Sequence, residues 1–223
     1  MGKVLEHVAL SRGHQIAGKI NLGFEGAFPA ADVAIEFTQP ESAVENIKKC
    51  IDQKIPVVCG TTGWLARKDE VHQYCTERNG SLFYASNFSL GISLFFHLNE
   101  QLARLMKGKQ DYNVSIEEIH HTQKKDAPSG TAITLAEGII KNDSAKTGWT
   151  IHENSKPQEI VIKSRRIDPV PGTHTVTYHS AVDDLEIRHT AHSREGFALG
   201  AVLVAEWLPG KKGIQSMNDF LKF

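Results

Sequence analysis

The chain has 223 residues, 40% of them hydrophobic and 23% charged, a composition typical of a folded globular protein. With a formal net charge of −1, it has no general electrostatic attraction to nucleic acid or to an anionic membrane. No apolar run approaches the roughly eighteen residues of a membrane span, and charges interrupt the first twenty residues, so no secretory signal is expected. Cys50, Cys59 and Cys75 lack metal-type spacing, which favours a reducing cytoplasm.

The first part of the chain alternates between helical and strand-like patterns. Helices are predicted at 2–12, from Pro40 to about Gln53, and at 65–79. Strands are predicted at 14–20, 31–37, 55–60 and 81–85. Such alternation indicates a parallel sheet of the Rossmann-like α/β class. Ligands bind beyond the carboxyl ends of these strands, where "EFTQP", "GTTGW" and "ASNFSLG" follow.

After a long helix at 91–107 the pattern changes. A strand is predicted at 112–119, a helix at 129–142 and further strands within 159–192, which together indicate an α+β domain with a mixed or mostly antiparallel sheet. The segment 142–159 is predicted to be a mobile loop. The stretch "GFALGAVLVAEWL" is apolar nearly all round, so we expect a buried helix there.

Two adjacent histidines follow the strand at 112–119, in the segment "HHTQKKDAPSGTA". Neighbouring strand residues point to opposite faces, so His120 and His121 are expected to have different roles. A histidine titrates near neutrality and can give a proton to a developing negative charge.

The same segment also carries features suited to binding an anion. Lys124 and Lys125 supply positive charge, and Ser129, Gly130 and Thr131 open a helix whose free N–H groups favour a carboxylate. The interpretation is a site for a small, multiply anionic molecule that undergoes protonation. The alternative interpretation is a capped helix after a polar loop with solvated lysines.

The stretch "EEIHHTQKKDAPSGTA" closely resembles the signature of the dihydrodipicolinate reductase family. The resemblance extends to "RGHQIAGKI", "DVAIEFTQP", "VVCGTTGW", "ASNFSLG" and "HTAHSREGFALGAVLVAEWL". It implies reduction of 4-hydroxy-tetrahydrodipicolinate in lysine and diaminopimelate biosynthesis, with NADH or NADPH. It also implies a nicotinamide-binding domain at 1–88 and 195–223, and a substrate-binding and oligomerisation domain at 89–194 that builds a homotetramer.

The resemblance implies a role for each matching residue. His120 is implied as the catalytic acid/base and Lys124 as the catalytic lysine. The residues implied to bind substrate are His121, Ser129, Gly130, Thr131 and Arg194. The residues implied to lie along the cofactor are Gly2, Phe37, Thr38, Gly60, Thr61, Thr62, Gly63, Ala85, Asn87 and Phe88.

The sequence departs from the family pattern in two places. Gly2 matches the last glycine of a G-x-G-x-x-G turn whose preceding strand and first glycines are absent, which predicts weak cofactor binding. At the end of the strand at 14–20, Asn21 stands where an acidic residue would favour NADH, so NADPH should be accepted.

Three other functions compete with this interpretation. The first is a non-catalytic or cofactor-impaired homologue that still binds a dicarboxylate, which would explain why the phosphate loop is missing. A dehydrogenase acting on another imino acid would keep the same motifs. A metal site among His174, His179, His189 and His192 is disfavoured, because His189 and His192 fall on opposite faces of a regular strand.

Overall fold

A computed structural model of the protein describes residues 1–21, 23–24, 26–193 and 195–223. They form two compact units. The first contains Met1–Leu90 and Glu195–Phe223, and the second begins at Gly91 and ends before Glu195. Across the described residues, no helix combines the length and the apolar character needed to cross a membrane.

The first unit is built on a four-stranded parallel sheet. Its strands are β1 (Ala34–Glu36), β2 (Val57–Cys59), β3 (Ser81–Tyr84) and β9 (Gly213–Gln215), in the order β1-β2-β3-β9. The register pairs Glu36 with Cys59 and Cys59 with Tyr84, so the first three strands end level with one another. This common edge is where a parallel sheet binds its ligand.

Helices cover both faces of this sheet. They are α1 (Gly2–Ser11), α2 (Pro40–Asp52), α3 (Lys68–Glu77, preceded by the short 3₁₀ turn Leu65–Arg67), α6 (Glu195–Trp207) and α7 (Met217–Leu221). Val58 and Phe83 point into a core shared with α1 and α6. Val57 and Leu82 point the other way, into a core shared with α2 and α3. The strands are therefore apolar on both faces because both faces are buried.

The second unit contains a five-stranded mixed sheet in the order β5-β6-β4-β7-β8. Its strands are β4 (Asn113–His120), β5 (Gly148–Thr150), β6 (Glu159–Arg166), β7 (Gly172–His179) and β8 (Asp184–Ala191). β4 is parallel to β6 and antiparallel to β7. Side chains of β4, β6 and β7 share a core with α4 (Leu90–Met106) and α5 (Gly130–Asn142).

Side chains on the central strand β4 alternate between core and surface. Val114 and Ile116 lie in the core, and the next two residues on the same face are Glu118 and His120, which are also buried. An apolar row therefore ends in a polar pair. This pair closes the core at the end of β4, immediately before the segment that leads to α5.

The predicted fold class, a Rossmann-like domain with an α+β domain, is confirmed. Two local predictions were wrong. The residues at 14–20 form no strand and are mostly exposed, because none of the described strands pairs with them. Within the predicted loop at 142–159, residues Gly148–Thr150 form β5, which pairs in parallel with β6.

Candidate active site

The imidazole of His120 is held at the end of β4 by a neighbouring carboxylate. Its Nδ1 is hydrogen-bonded to Oε2 of Glu118, two residues earlier on the same face. The Glu118 side chain is fully buried, and that of His120 is 10% exposed. Sequence reasoning missed Glu118. The signal that could have revealed it is a carboxylate at the alternation position that Val114 and Ile116 fill with apolar side chains.

Arg166 at the end of β6 pairs with the second oxygen of the same carboxylate. Its Nη2 donates to Glu118 Oε1 over 3.0 Å, and the backbone N–H of Ser129 donates to that oxygen over 3.3 Å. Burial alone would raise the pKa of Glu118, but hydrogen bonds from His120, Arg166 and Ser164 lower it to about 2. Glu118 is therefore a buried carboxylate that stays ionised.

His174 on β7 lies opposite Glu118 in the antiparallel register, and its ring centroid is 5.0 Å from that of His120. Burial, followed by the neighbouring His120, lowers the pKa of His174 to about 3. His174 is therefore neutral near pH 7. Its Nε2 lies 3.1 Å from Ser129 Oγ, while its buried Nδ1 has no hydrogen-bond partner within the described part of the chain.

Ser129 caps the N-terminus of α5. Its Oγ accepts from the backbone N–H of Ala132 over 3.2 Å. Gly130, the first residue of the helix, is exposed, and a Cβ added there would meet no atom within 4 Å. Thr131 follows and is half-buried. The positive end of the helix is thus open beside the buried cluster, as anion binding requires.

Lys124 lies in the segment between β4 and α5, and its side chain is 23% exposed. Its Nζ donates to both carboxylate oxygens of Asp126, at 2.8 Å each. The hydrogen bond from Lys124 lowers the pKa of Asp126. A side-chain hydrogen bond holds the backbone of the segment between β4 and α5, since Arg166 Nε donates to the carbonyl of Lys124. The ammonium group is therefore partly accessible and carboxylate-bound.

The other substrate-binding predictions have different outcomes. His121 is half-buried just after β4. It lies near Asp168, whose pKa is lowered by hydrogen bonds from Thr122 and further by the charge of His121. Arg194 lies outside the described residues. The structure thus brings His120, Ser129 and the start of α5 together, with Lys124 in the adjoining segment.

Glu118, His120 and His174 also meet the spacing of a metal site, since their ligand atoms lie within 4.8 Å of one another. Two features disfavour a cation there. The positive guanidinium group of Arg166 already lies against the Glu118 carboxylate, and each oxygen of that carboxylate already accepts a hydrogen bond. The arrangement favours proton handling over metal binding.

Apart from Gly2, the predicted cofactor residues of the first unit follow the carboxyl ends of β1, β2 and β3. The backbone N–H of Thr38 donates to Thr61 Oγ1 over 2.8 Å, which links the first two strand ends. The Thr38 hydroxyl donates to the buried carboxylate of Glu36, and the Cys59 thiol donates to the other oxygen of Glu36 over 3.1 Å. The sequence placed Glu36 at the start of the strand-end segment "EFTQP" but gave its carboxylate no role.

Glycines allow close packing at this edge of the sheet. A Cβ at Gly60 would lie 2.1 Å from the ring of Phe37, and that ring is 5.5 Å from the ring of Phe88. Phe88 is only 2% exposed, so its side chain belongs to the core. Gly63 has a φ of +86°, which favours glycine. Glycine at position 60 thus lets the ring of Phe37 pack directly against the backbone that follows β2.

Three of the remaining predicted cofactor residues follow β2 or β3 in the chain, and the fourth is Gly2. Thr62 is exposed, Ala85 is half-buried and hydrogen-bonded through its N–H to the Cys59 carbonyl, and Asn87 Oδ1 accepts from the N–H of Ser89. Gly2 is exposed at the N-terminus of α1.

Comparison with known proteins identifies both units. The family "Dihydrodipicolinate reductase, N-terminus" matches residues 4–88, and "Dihydrodipicolinate reductase, C-terminus" matches residues 91–221. The 4-hydroxy-tetrahydrodipicolinate reductase of Christiangramia forsetii is 49% identical over 224 residues, covering 99% of this chain and 93% of the relative. The enzyme of the same name from Neisseria meningitidis serogroup C is 34% identical over 97% of this chain and 83% of the relative.

Solved structures agree on the fold. A dipicolinate-bound dihydrodipicolinate reductase from Paenisporosarcina sp. TG-14 superposes with a TM-score of 0.74 at 21% identity, covering 99% of this chain and 94% of that one. An amine dehydrogenase from Mycobacterium smegmatis reaches a TM-score of 0.58 at 10% identity, covering 96% and 91%. The two family matches and the 49% identity confirm the resemblance, and the chain belongs to the dihydrodipicolinate reductase family of oxidoreductases.

Proposed function

We propose that this chain reduces 4-hydroxy-tetrahydrodipicolinate to tetrahydrodipicolinate with a reduced pyridine nucleotide, in lysine and diaminopimelate biosynthesis. The observation that carries the proposal is the pairing of His120 with a buried, ionised Glu118 beside the open N-terminus of α5. A proton donor and an anion-binding helix end stand together, as protonation of a bound dicarboxylate requires. Family membership supports the same reaction.

The reaction takes up one hydride and one proton and releases one molecule of water. The bound cofactor supplies the hydride. Loss of the 4-hydroxyl group with a proton from the neighbouring carbon, as water, forms a conjugated imine. Hydride addition to that imine leaves an electron-rich enamine centre that must accept a proton. In our proposal His120 gives that proton from its ring, and the ionised Glu118 stabilises the positive charge that the ring carries beforehand.

The two carboxylates of the substrate need positive partners. We assign one to Lys124 and the start of α5, where Ser129, Gly130 and Thr131 offer backbone N–H groups and hydroxyls. His121 and Arg194 are proposed as further contacts. Because Lys124 is already bound to Asp126, the substrate carboxylate has to share or replace that partner. Dipicolinate, which the Paenisporosarcina reductase binds, has the same two-carboxylate pattern.

The cofactor is a pyridine nucleotide, and we propose that both NADH and NADPH serve. The proposed contacts are Gly2, Phe37, Thr38, Gly60, Thr61, Thr62, Gly63, Ala85, Asn87 and Phe88. The buried ring of Phe88 limits that residue to backbone contact. We assign cofactor binding to residues 1–88 and 195–223, and substrate binding and assembly of a cytoplasmic homotetramer to residues 89–194.

The test is an assay of the purified chain with 4-hydroxy-tetrahydrodipicolinate and NADPH or NADH. Loss of reduced-nicotinamide absorbance, with tetrahydrodipicolinate identified by mass, is the expected result. Pyridine-2,6-dicarboxylate should inhibit competitively against substrate. Binding of this dicarboxylate without turnover would instead identify a non-catalytic homologue. Turnover of a different imino acid alone would identify another dehydrogenase.

A further inference from the structure

We infer that Glu118 is a positioning residue, which determines which nitrogen of His120 carries the ring proton. The inference deepens the proposed function and rests on it, since it concerns the group that protonates the substrate.

The two oxygens of Glu118 have different partners. Oε1 accepts from Arg166 Nη2 and from the backbone N–H of Ser129, whereas Oε2 faces His120 Nδ1. An ionised carboxylate can only accept hydrogen bonds, so Nδ1 must be the donor. The neutral ring therefore carries its proton on Nδ1, and Nε2 is left as the nitrogen that gains and loses a proton.

The surroundings of Nε2 fit this assignment. Among the described residues, no hydrogen bond engages Nε2. A Cβ at Gly172 would lie 3.1 Å from Nε2 and 3.3 Å from Cδ2 of the ring, so a larger residue there would press on this side of the imidazole. Glycine at the start of β7 therefore leaves Nε2 uncovered.

The charged and titratable groups around His120 come from four elements. They are Glu118 on β4, Arg166 on β6, His174 on β7 and Lys124 in the segment before α5. Arg166 and Lys124 are cationic side chains, and burial keeps His174 neutral near pH 7. Glu118 is therefore the group of this set that stabilises a charged His120 ring.

Replacing Glu118 by glutamine should invert the tautomer while preserving the shape of the side chain. The amide has one oxygen, and both Arg166 and the Ser129 N–H need an acceptor at the Oε1 position. The amide NH₂ must then face His120, so Nδ1 has to accept and the neutral ring carries its proton on Nε2. A doubly protonated ring would place two donors against each other.

The first experiment needs no substrate. Nitrogen NMR of ¹⁵N-histidine-labelled, ligand-free protein reports which ring nitrogen is protonated, with His120 assigned by comparison with His120→Gln. The expected result is protonation at Nδ1 in the wild type and at Nε2 in Glu118→Gln. A neutral wild-type ring protonated at Nε2 overturns the inference even if the variant does not fold. An unchanged tautomer in a folded Glu118→Gln variant overturns it as well.

The second experiment separates positioning from a general structural role. In Glu118→Gln, kcat should fall by roughly 10- to 1,000-fold with KM changed by less than about threefold, and the activity should be lost at lower pH than in the wild type. The matched control is Glu117→Gln. Glu117 is the carboxylate that precedes Glu118 in the sequence. It forms an ion pair, at 3.0 Å, with Arg165, which precedes Arg166. This control should keep the wild-type kcat and pH profile.

A double variant completes the test. If Glu118 acts through His120, adding Glu118→Gln to His120→Gln should lower kcat no further, whereas independent effects would multiply. Multiplying effects overturn the inference. Failure of the wild type to reduce 4-hydroxy-tetrahydrodipicolinate overturns the proposed function and leaves the NMR result to decide the tautomer, so the two failures are distinguishable.

Discussion

Glu118 and His120 are joined by a hydrogen bond between side chains on the same face of one strand, with Ile119 pointing to the other face. Because this spacing is set by the strand itself, the imidazole of His120 is held by backbone geometry as well as by its side-chain partner. The pair therefore lies on a rigid element, and the residues proposed to bind an anion lie in the segment and helix that follow.

Removal of the imidazole should mainly slow the chemical step. In His120→Gln we expect kcat to fall by roughly 100- to 10,000-fold with cofactor affinity nearly unchanged, because a positioned acid/base group contributes about that much. Steady-state kinetics and a cofactor titration measure both quantities. His179→Gln, which alters an exposed histidine at the far end of β7, is the control. A loss below tenfold would remove His120 from the mechanism.

Removal of one lysine should affect both turnover and substrate binding. Lys124→Ala should lower kcat and raise KM, since the ammonium group is proposed to bind a carboxylate of the reacting molecule. Lys125→Ala removes the same charge from the next residue, which is exposed, and should have little effect. Kinetic constants for the two variants decide the matter. Equal behaviour would mean that Lys124 acts only as a partner of Asp126.

The cofactor preference should be weak. Asn21 can hydrogen-bond a ribose hydroxyl and does not repel a 2′-phosphate as a carboxylate would, so NADH and NADPH should give comparable kcat/KM values. Parallel assays with the two cofactors measure the ratio. A 100-fold preference for NADH, equal to about 2.7 kcal/mol, would contradict this role of Asn21.

The buried His174 should make the protein less stable in acid. Its pKa is about 3 in the folded protein against an ordinary 6.5, so below pH 6.5 the unfolded chain binds a proton that the folded chain does not. The free energy of unfolding should fall as the pH is lowered through this window, by about 1.4 kcal/mol per pH unit from this residue.

Urea unfolding between pH 6 and pH 4 measures that contribution. In His174→Gln the free energy of unfolding should change less steeply with pH, by the amount that His174 contributes to the wild-type slope. The variant also loses the contact with Ser129. His152→Gln, at an exposed position, should keep the wild-type slope. If both variants keep that slope, His174 is not the residue responsible.

Gly200 on α6 should tolerate no side chain. A Cβ there would lie 1.8 Å from the backbone oxygen of Phe88, so Gly200→Ala must displace the helix or that backbone and should cost about 1–3 kcal/mol or more. Gly196→Ala on the same helix meets nothing within 4 Å and should raise stability by about 0.5–1 kcal/mol. Similar free energies of unfolding for the two variants would contradict this packing.

Periodicity and the signature motif predicted most of the architecture and located the residues at 120–132. They could not reveal Arg166 and His174 as neighbours of Glu118 and His120, because these residues meet only when β6 and β7 pair with β4. Glu36 was missed for a similar reason, since its hydrogen-bond partner Cys59 is on a neighbouring strand. Non-local pairing has no signal in a local pattern.

The strand prediction at 14–20 failed for a related reason. A strand forms through hydrogen bonds to a neighbour, and alternating residues without such a neighbour remain irregular. In contrast, the cap at Ser129 was predictable, because the partners of a helix cap lie within a few residues in the sequence.

All three cysteines of the chain lie in the first unit, and each is buried. Burial raises the pKa of the Cys50 thiol to about 12, and burial together with Glu36 raises that of Cys59 further. Since only the thiolate reacts with alkylating reagents, the folded unit should resist them. The rate of alkylation therefore measures how often the first unit opens, while the second unit contributes no signal. The native chain thus contains its own chemical reporter of local unfolding.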